Sequence, residues 1–204
     1  VNNAGAIHLS RKNSADGIEM TFALNHLSYF LLTNLLLDVL SASAPARVVN
    51  VASSVHMKAK LDLFDVYAPR RYAGLRTYSR SKLCNVLFTY ELARRLEGTG
   101  ITANALHPGL VASNILKNNG ILGRFLNMVL GVMGISAKAG ALTSVYAASS
   151  PEMEGVSGKY LDKKQVVRSS TCSYDEAHAA ALWELSASLT GILPTSLVSS
   201  LSVG

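Results

Sequence analysis

Apolar positions along this chain switch repeatedly between helical and strand-like spacing. Between residues 16 and 40, Met20, Leu24, Leu27, Leu31 and Leu35 recur every three or four residues, which predicts one long helix burying that stripe. Residues 47–52 are a short β-branched run and predict a buried parallel strand. Residues 58–76 are polar and punctuated by proline and glycine, hence a loop. A second long helix is predicted over 77–96, stopped by Gly98 and Gly100, and a strand over 101–106, broken by Pro108 and Gly109. Residues 120–135 are apolar and glycine-rich, 137–148 read as a helix and 158–161 as the last strand. Ser173 and Glu176 have the spacing of a capping box for a final helix that ends at Gly191. The Ser-rich residues 192–204 predict a disordered tail, leaving 1–191 as one folded unit.

Composition narrows this picture. Apolar residues make up 49% of the 204 positions and charged ones 16%, which suits a parallel sheet covered by helices on both faces. The net charge of +6 draws on Arg70, Arg71, Arg76, Arg80 and Lys82. The aromatic interleaving of an RNA-binding surface is missing, as are helix-turn-helix and zinc patterns, so the expectation is no nucleic-acid partner and a solvated loop. Cys84 and Cys172 give no disulfide framework and fit an intracellular, reducing compartment. The histidines show no metal-ligand spacing, so no metal is expected. Residues 121–135 are too few to cross a bilayer and include Arg124.

One spacing carries chemistry. Tyr78 and Lys82 are four apart on the second helix and so share a face, where an ammonium can stabilise a phenolate. Such a phenol can exchange the proton that accompanies hydride transfer at a carbonyl or alcohol. Ser53 lies upstream at the end of the 47–52 strand, with Ser54 its near competitor. Asn25 is a poor residue for a helix interior and needs a reason to be there. Each has a plainer reading: a core tyrosine, a surface lysine, a turn-capping serine, a surface asparagine.

The ordered set resembles the short-chain dehydrogenase/reductase family. Val1-Asn2-Asn3-Ala4-Gly5 looks like its Asn-Asn-Ala-Gly strand end, and Asn25 in Leu24-Asn25-His26-Leu27 falls at its helix asparagine. Val48-Val49-Asn50-Val51-Ala52-Ser53 looks like the strand ending in its catalytic serine, where a serine three after Asn50 favours Ser53 over Ser54. Pro108-Gly109-Leu110-Val111-Ala112-Ser113 is similar to its Pro-Gly-x-Val-x-Thr segment, with Ser113 in place of threonine. Glu91-Leu92-Ala93-Arg94-Arg95-Leu96 and the long interval from Ser53 to Tyr78 look like the retinol dehydrogenase branch.

The resemblance implies a Rossmann-like, doubly wound parallel α/β sheet of which this chain is the C-terminal part. No Gly-rich turn for a cofactor pyrophosphate precedes the motifs, so three strands and their helices are expected upstream of Val1, and residues 1–204 alone are expected to be inactive. It implies an NAD(P)-dependent enzyme with Asn25, Ser53, Tyr78 and Lys82 as catalytic residues. Asn3, Ala4, Gly5, Tyr78, Lys82, Pro108, Gly109, Val111 and Ser113 would bind the cofactor, NAD or, favoured by the branch, NADP. Lys82 would lower the phenol pKa and hold the nicotinamide ribose, while Asn25 kinks its helix and anchors a water reaching Lys82. The expected substrate is a small apolar alcohol, aldehyde or ketone beneath an apolar lid over 115–135. A cytoplasmic or membrane-associated location, an anchor in the preceding segment and a homo-oligomer all fit. Two other classes stay open: a truncated form acting as a binding or regulatory protein, and an assembly role through the two long helices.

Overall fold

Parallel pairing of short, β-branched or small-residue strands builds the centre of the computed structural model, which describes residues 1–63, 65–67 and 71–192. Arg70 of the basic cluster and residues 193–204 of the expected tail lie outside these. Strand β1 (Ala46–Val51) pairs in parallel with β2 (Ile101–His107), which pairs in parallel with β3 (Lys159–Asp162). On the free side of β1, Asn2 donates its N–H to the Val49 carbonyl and accepts from the Val51 N–H, a single parallel bridge that extends the sheet on that side. Successive β1 side chains point to opposite faces. Val48 joins Phe30, Phe88, Leu92 and Trp183 beneath the helices of one face, and Val49 and Val51 join Leu106, Ala147 and Leu161 on the other.

A short edge strand was not legible in the sequence. β4 (Gln165–Val167) folds back antiparallel on β3 through Lys163 and Lys164, both at positive φ. That turn matches the twist of a hairpin, but glycine or asparagine normally marks it and two lysines do not.

The first long helix differs most from its prediction. It begins at Met20, not near residue 16, because the buried Glu19 carboxylate accepts from the Thr21 and Phe22 N–H groups. α1 (Met20–Phe22) passes into a single π-helical turn at Ala23–Leu27, then α2 (Ser28–Leu35), and after Leu36 α3 (Leu37–Ala42). The wide turn holds an extra residue and rotates everything after it. The buried face is therefore Phe22, His26, Tyr29, Phe30, Thr33 and Leu37; of the expected stripe Leu27 is buried, Met20, Leu24 and Leu31 are half-buried and Leu35 is exposed.

The second long helix, α4 (Gly74–Arg95), lies across the sheet with α7 (Glu176–Thr190) beside it. Arg95 stacks its guanidinium 4.3 Å from the Trp183 ring centroid while bonding Glu91. α7 is capped by Asp175, which accepts from the His178 N–H, and not by Ser173 as the capping-box spacing suggested. Ser173 is buried and bonds Ser169. The helix ends at Gly191 as expected, and Ile192 still packs on the core. α5 (Gly120–Met133) and α6 (Ala137–Ser149) follow β2.

His26 gives the fold a pH dependence. Wholly buried between Phe22 and Phe88, it bonds Ser186 at 2.8 Å through Nε2, and burial holds its pKa down at about 3. The unfolded chain protonates this imidazole below about pH 6.5 while the folded chain does not, so stability falls as pH falls through that window. His26→Gln is expected to flatten the decline between pH 6 and 4 by up to about 1.4 kcal/mol per pH unit. Urea unfolding followed by the fluorescence of Trp183, the sole tryptophan, checks it.

Candidate active site

Lys82 is the centre of the site. It lies one turn beyond Tyr78 on α4, is 3% exposed, and donates from Nζ to the Val51 carbonyl at the end of β1, 2.8 Å away. The ammonium stands 5.6 Å from the Tyr29 ring centroid and 5.8 Å from that of Tyr78. Removed from water and facing rings, it is pulled down to a pKa of about 7 by burial. Burial likewise pushes the Tyr78 phenol up to about 12, against the opposing hydrogen bond of the Ser53 side chain. The expected net lowering of the phenol by Lys82 is therefore not the balance found; desolvation dominates both groups.

Ser53 faces that phenol because β1 runs straight into it in extended conformation (φ −168°, ψ 153°). Its main chain is fixed from below. His56, fully buried, accepts from the Ser170 N–H at Nε2 (3.2 Å), so Nδ1 carries the proton and donates to the Ser53 carbonyl at 2.6 Å. The imidazole rests on Tyr160, ring centroids 4.8 Å apart. Ser54, the competitor, is exposed and gives its N–H to His107 Nδ1.

Asn25 sits inside the π-helical turn, which aims its amide at the main chain of Ala6. Its Oδ1 accepts from the Ala6 N–H (2.9 Å), and Nδ2 donates to the Ala6 carbonyl and the Ser81 hydroxyl (both 3.0 Å). A Cβ on Gly5 would come within 3.3 Å of Asn25 Oδ1 and 3.6 Å of Lys82 Nζ, so the bare backbone there keeps the space in front of both open. The sequence pointed to Tyr78 and Lys82 by spacing and to Asn25 and Ser53 by resemblance, and the fold brings the four to one place. The sequence did not single out Ser81, although that serine belongs to the Tyr-x-x-x-Lys segment, nor His56, whose signal is its distance of three from Ser53.

Two hollows meet at Tyr78. One, of about 670 Å³, is lined by Asn3, Ala4, Gly5, Lys82, Val111 and Ser113. The other, of about 660 Å³, is lined by Ser53, Met57, Leu75, His107, Gly109 and Leu110, mostly apolar surface. Both share Ala52, Tyr78, Pro108, Val111, Ser113 and Ile115. Of the nine residues expected to bind cofactor, eight line the first hollow; Gly109, held at φ +86° where side chains are strained, lines the second. A wider hollow of about 980 Å³ opens at the other ends of the strands, by Arg47, Ile101 and Gly158, and holds none of these groups. The basic cluster is not one solvated patch: Arg80 pairs with Asp65 at 2.7 Å and Lys82 is buried.

The sequence of residues 1–120 matches the family model described as short chain dehydrogenase. The chain belongs to the short chain dehydrogenase family. The relatives it resembles include retinol dehydrogenases. Retinol dehydrogenase 14 of Mus musculus is 44% identical over 196 residues, covering 95% of this chain and 59% of that protein. Polyprenol dehydrogenase of Homo sapiens is 40% identical, covering 97% and 62%. The chain thus spans about three fifths of the length of these relatives. An uncharacterized protein from Mycobacterium Paratuberculosis has the same fold, with a TM-score of 0.70 and 35% identity over 93% of this chain and 65% of that one.

His56→Phe is expected to keep the ring against Tyr160 while leaving the Ser53 carbonyl and the Ser170 N–H without their partner. Urea denaturation should show a loss of about 1–3 kcal/mol, and hydrogen exchange a faster Ser170 amide. An unchanged midpoint and amide would contradict the bracing of Ser53.

Proposed function

We infer that this chain supplies the chemical centre of an NAD(P)-dependent oxidoreductase that interconverts an apolar alcohol and its carbonyl, with Tyr78 as acid/base. One observation carries this reading: a single buried phenol stands where two hollows meet, with a serine hydroxyl facing it and an ammonium behind it. The Gly5 backbone, Asn3, Val111, Ser113 and Lys82 fit the nicotinamide end of a dinucleotide, because they leave open space beside a cation and small polar groups. When bound, that group exchanges hydride with the substrate carbon. NADP is the favoured form by resemblance to the branch.

The chain's own residues manage the oxygen. In reduction, the Ser53 hydroxyl donates to the carbonyl oxygen and Tyr78 gives its proton as negative charge builds there. Lys82, with a pKa of about 7, gains or loses a proton near neutrality and so keeps the phenolate from standing alone in a buried site. Ser53 is held to this task by His56, and α4 by the Asn25–Ser81 bond. The apolar hollow suits a long apolar alcohol or aldehyde, in keeping with the retinol and polyprenol in the names of the relatives.

The test is NADPH- or NADH-dependent reduction of an apolar aldehyde by the whole protein. Tyr78→Phe is expected to lower kcat by about a hundred- to ten-thousand-fold with cofactor affinity unchanged, since the hydroxyl matters only when the proton moves. Native turnover in that variant overturns the assignment.

A further inference from the structure

One helix is turned the wrong way round for water. α5 is tethered by its inner face: Leu126 packs on the cluster of Ile7, Tyr78 and Leu116, and Asn127 Oδ1 accepts from the Leu116 N–H at 3.1 Å. Its outer face carries Ile121, Leu122, Phe125, Met128, Val132 and Met133, all exposed, Ile121 by 87% and Val132 by 84%. Ile121, Phe125, Met128 and Val132 follow the i, i+4, i+7, i+11 rule, and with Leu122 and Met133 beside them they form one continuous stripe without a polar side chain. A stripe of this kind marks an interaction surface, since isolated apolar residues are common on proteins but contiguous ones are not.

The charges around the stripe are all of one sign. Arg124 is the only charged residue on α5, exposed Lys117 and Lys138 flank its ends, and the Lys12 ammonium lies against the Asn118 carbonyl just before it. No aspartate or glutamate occurs anywhere from residue 98 to 151. A second copy seated on this face would set these cations against their own images with no carboxylate in the stretch to pair them. A bilayer with anionic headgroups offers both what the stripe and what its flanks need.

We propose that α5 lies flat in the surface of an anionic lipid bilayer, its apolar stripe among the acyl chains and Lys117, Arg124 and Lys138 at the headgroups. Fourteen residues span about 21 Å, and no described helix is long and apolar enough to cross a membrane, so the helix rests on the bilayer and does not span it. This orientation brings the apolar hollow close to the lipid, because exposed Leu75, Leu110 and Met57 line it and Ile135, just past α5, touches Gly109 and bonds Leu110. It rests on the proposed function only in giving the surface a purpose: an apolar alcohol dissolved in the bilayer would reach the hollow without crossing water.

Flotation of the whole protein with phosphatidylcholine vesicles, with and without phosphatidylserine, tests it. The native protein is expected to float with phosphatidylserine vesicles, and a variant carrying Ile121→Glu, Phe125→Glu and Val132→Glu to bind them at least tenfold more weakly. Its circular dichroism and Trp183 fluorescence should be native, because none of the three side chains is in the core. No flotation of the native protein, or equal flotation of the variant, overturns the proposal. So does a native dimer in light scattering that the variant abolishes, which would give the stripe to a second copy. The vesicle measurement involves no turnover, so flotation without aldehyde reduction would count against the proposed function alone, and reduction without flotation against this proposal alone.

Discussion

An ammonium held away from water is the constraint on which the rest of the site depends. Burying a cation is costly unless its surroundings compensate, and Lys82 is compensated by one carbonyl, at Val51, and by the faces of Tyr29 and Tyr78. Those groups come from the end of β1, from α2 and from α4. The strand end, the π-helical turn before α2 and the register of α4 must therefore agree. The Asn25 amide, from the π-helical turn, fastens Ala6 and the α4 residue Ser81 around the same point. A buried polar network of Asn2, Thr33, Asn50 and Thr89 ties the N-terminal segment, α2, β1 and α4 together.

The sequence showed the site more clearly than the fold around it. Residues four apart on a helix share a face by covalent geometry, so Tyr78 and Lys82 could be placed together by spacing, whereas Ser53 was picked out over Ser54 by the family resemblance. What lay beyond spacing was decided by tertiary contacts. The π-helical turn shifted the buried stripe away from Leu35 because one extra residue, Asn25 at its centre, had to point at Ala6. Ser173 lost the cap to Asp175 because its hydroxyl was drawn into bonds with Ser169 and Ser170. The β3–β4 turn used lysines at positive φ, which local preference argues against. His56 invited comparison with other histidines, yet its partners are two main-chain groups far apart in sequence.

The same economy of polar groups shapes the substrate side. Beside the phenol, the Asn25 and Lys82 side chains are engaged by the scaffold, and the second hollow has chiefly apolar walls. That suits a ligand with one oxygen and a long hydrocarbon body. α5 extends the apolar character outward, from Leu126 against the Tyr78 cluster to the stripe on its far side. A continuous path from outer surface to phenol follows from this helix carrying apolar side chains on both its inner and its outer face.

The central claim is that burial, with one carbonyl and two aromatic faces, sets the proton affinity of Lys82. Nitrogen-15 NMR of the lysine side chains in cofactor-free protein measures it directly. Half-titration of Lys82 near pH 7, with the other lysines far above it, is the result predicted. Half-titration near its ordinary value of 10.5 would mean that water or a carboxylate reaches the ammonium, and would contradict the account.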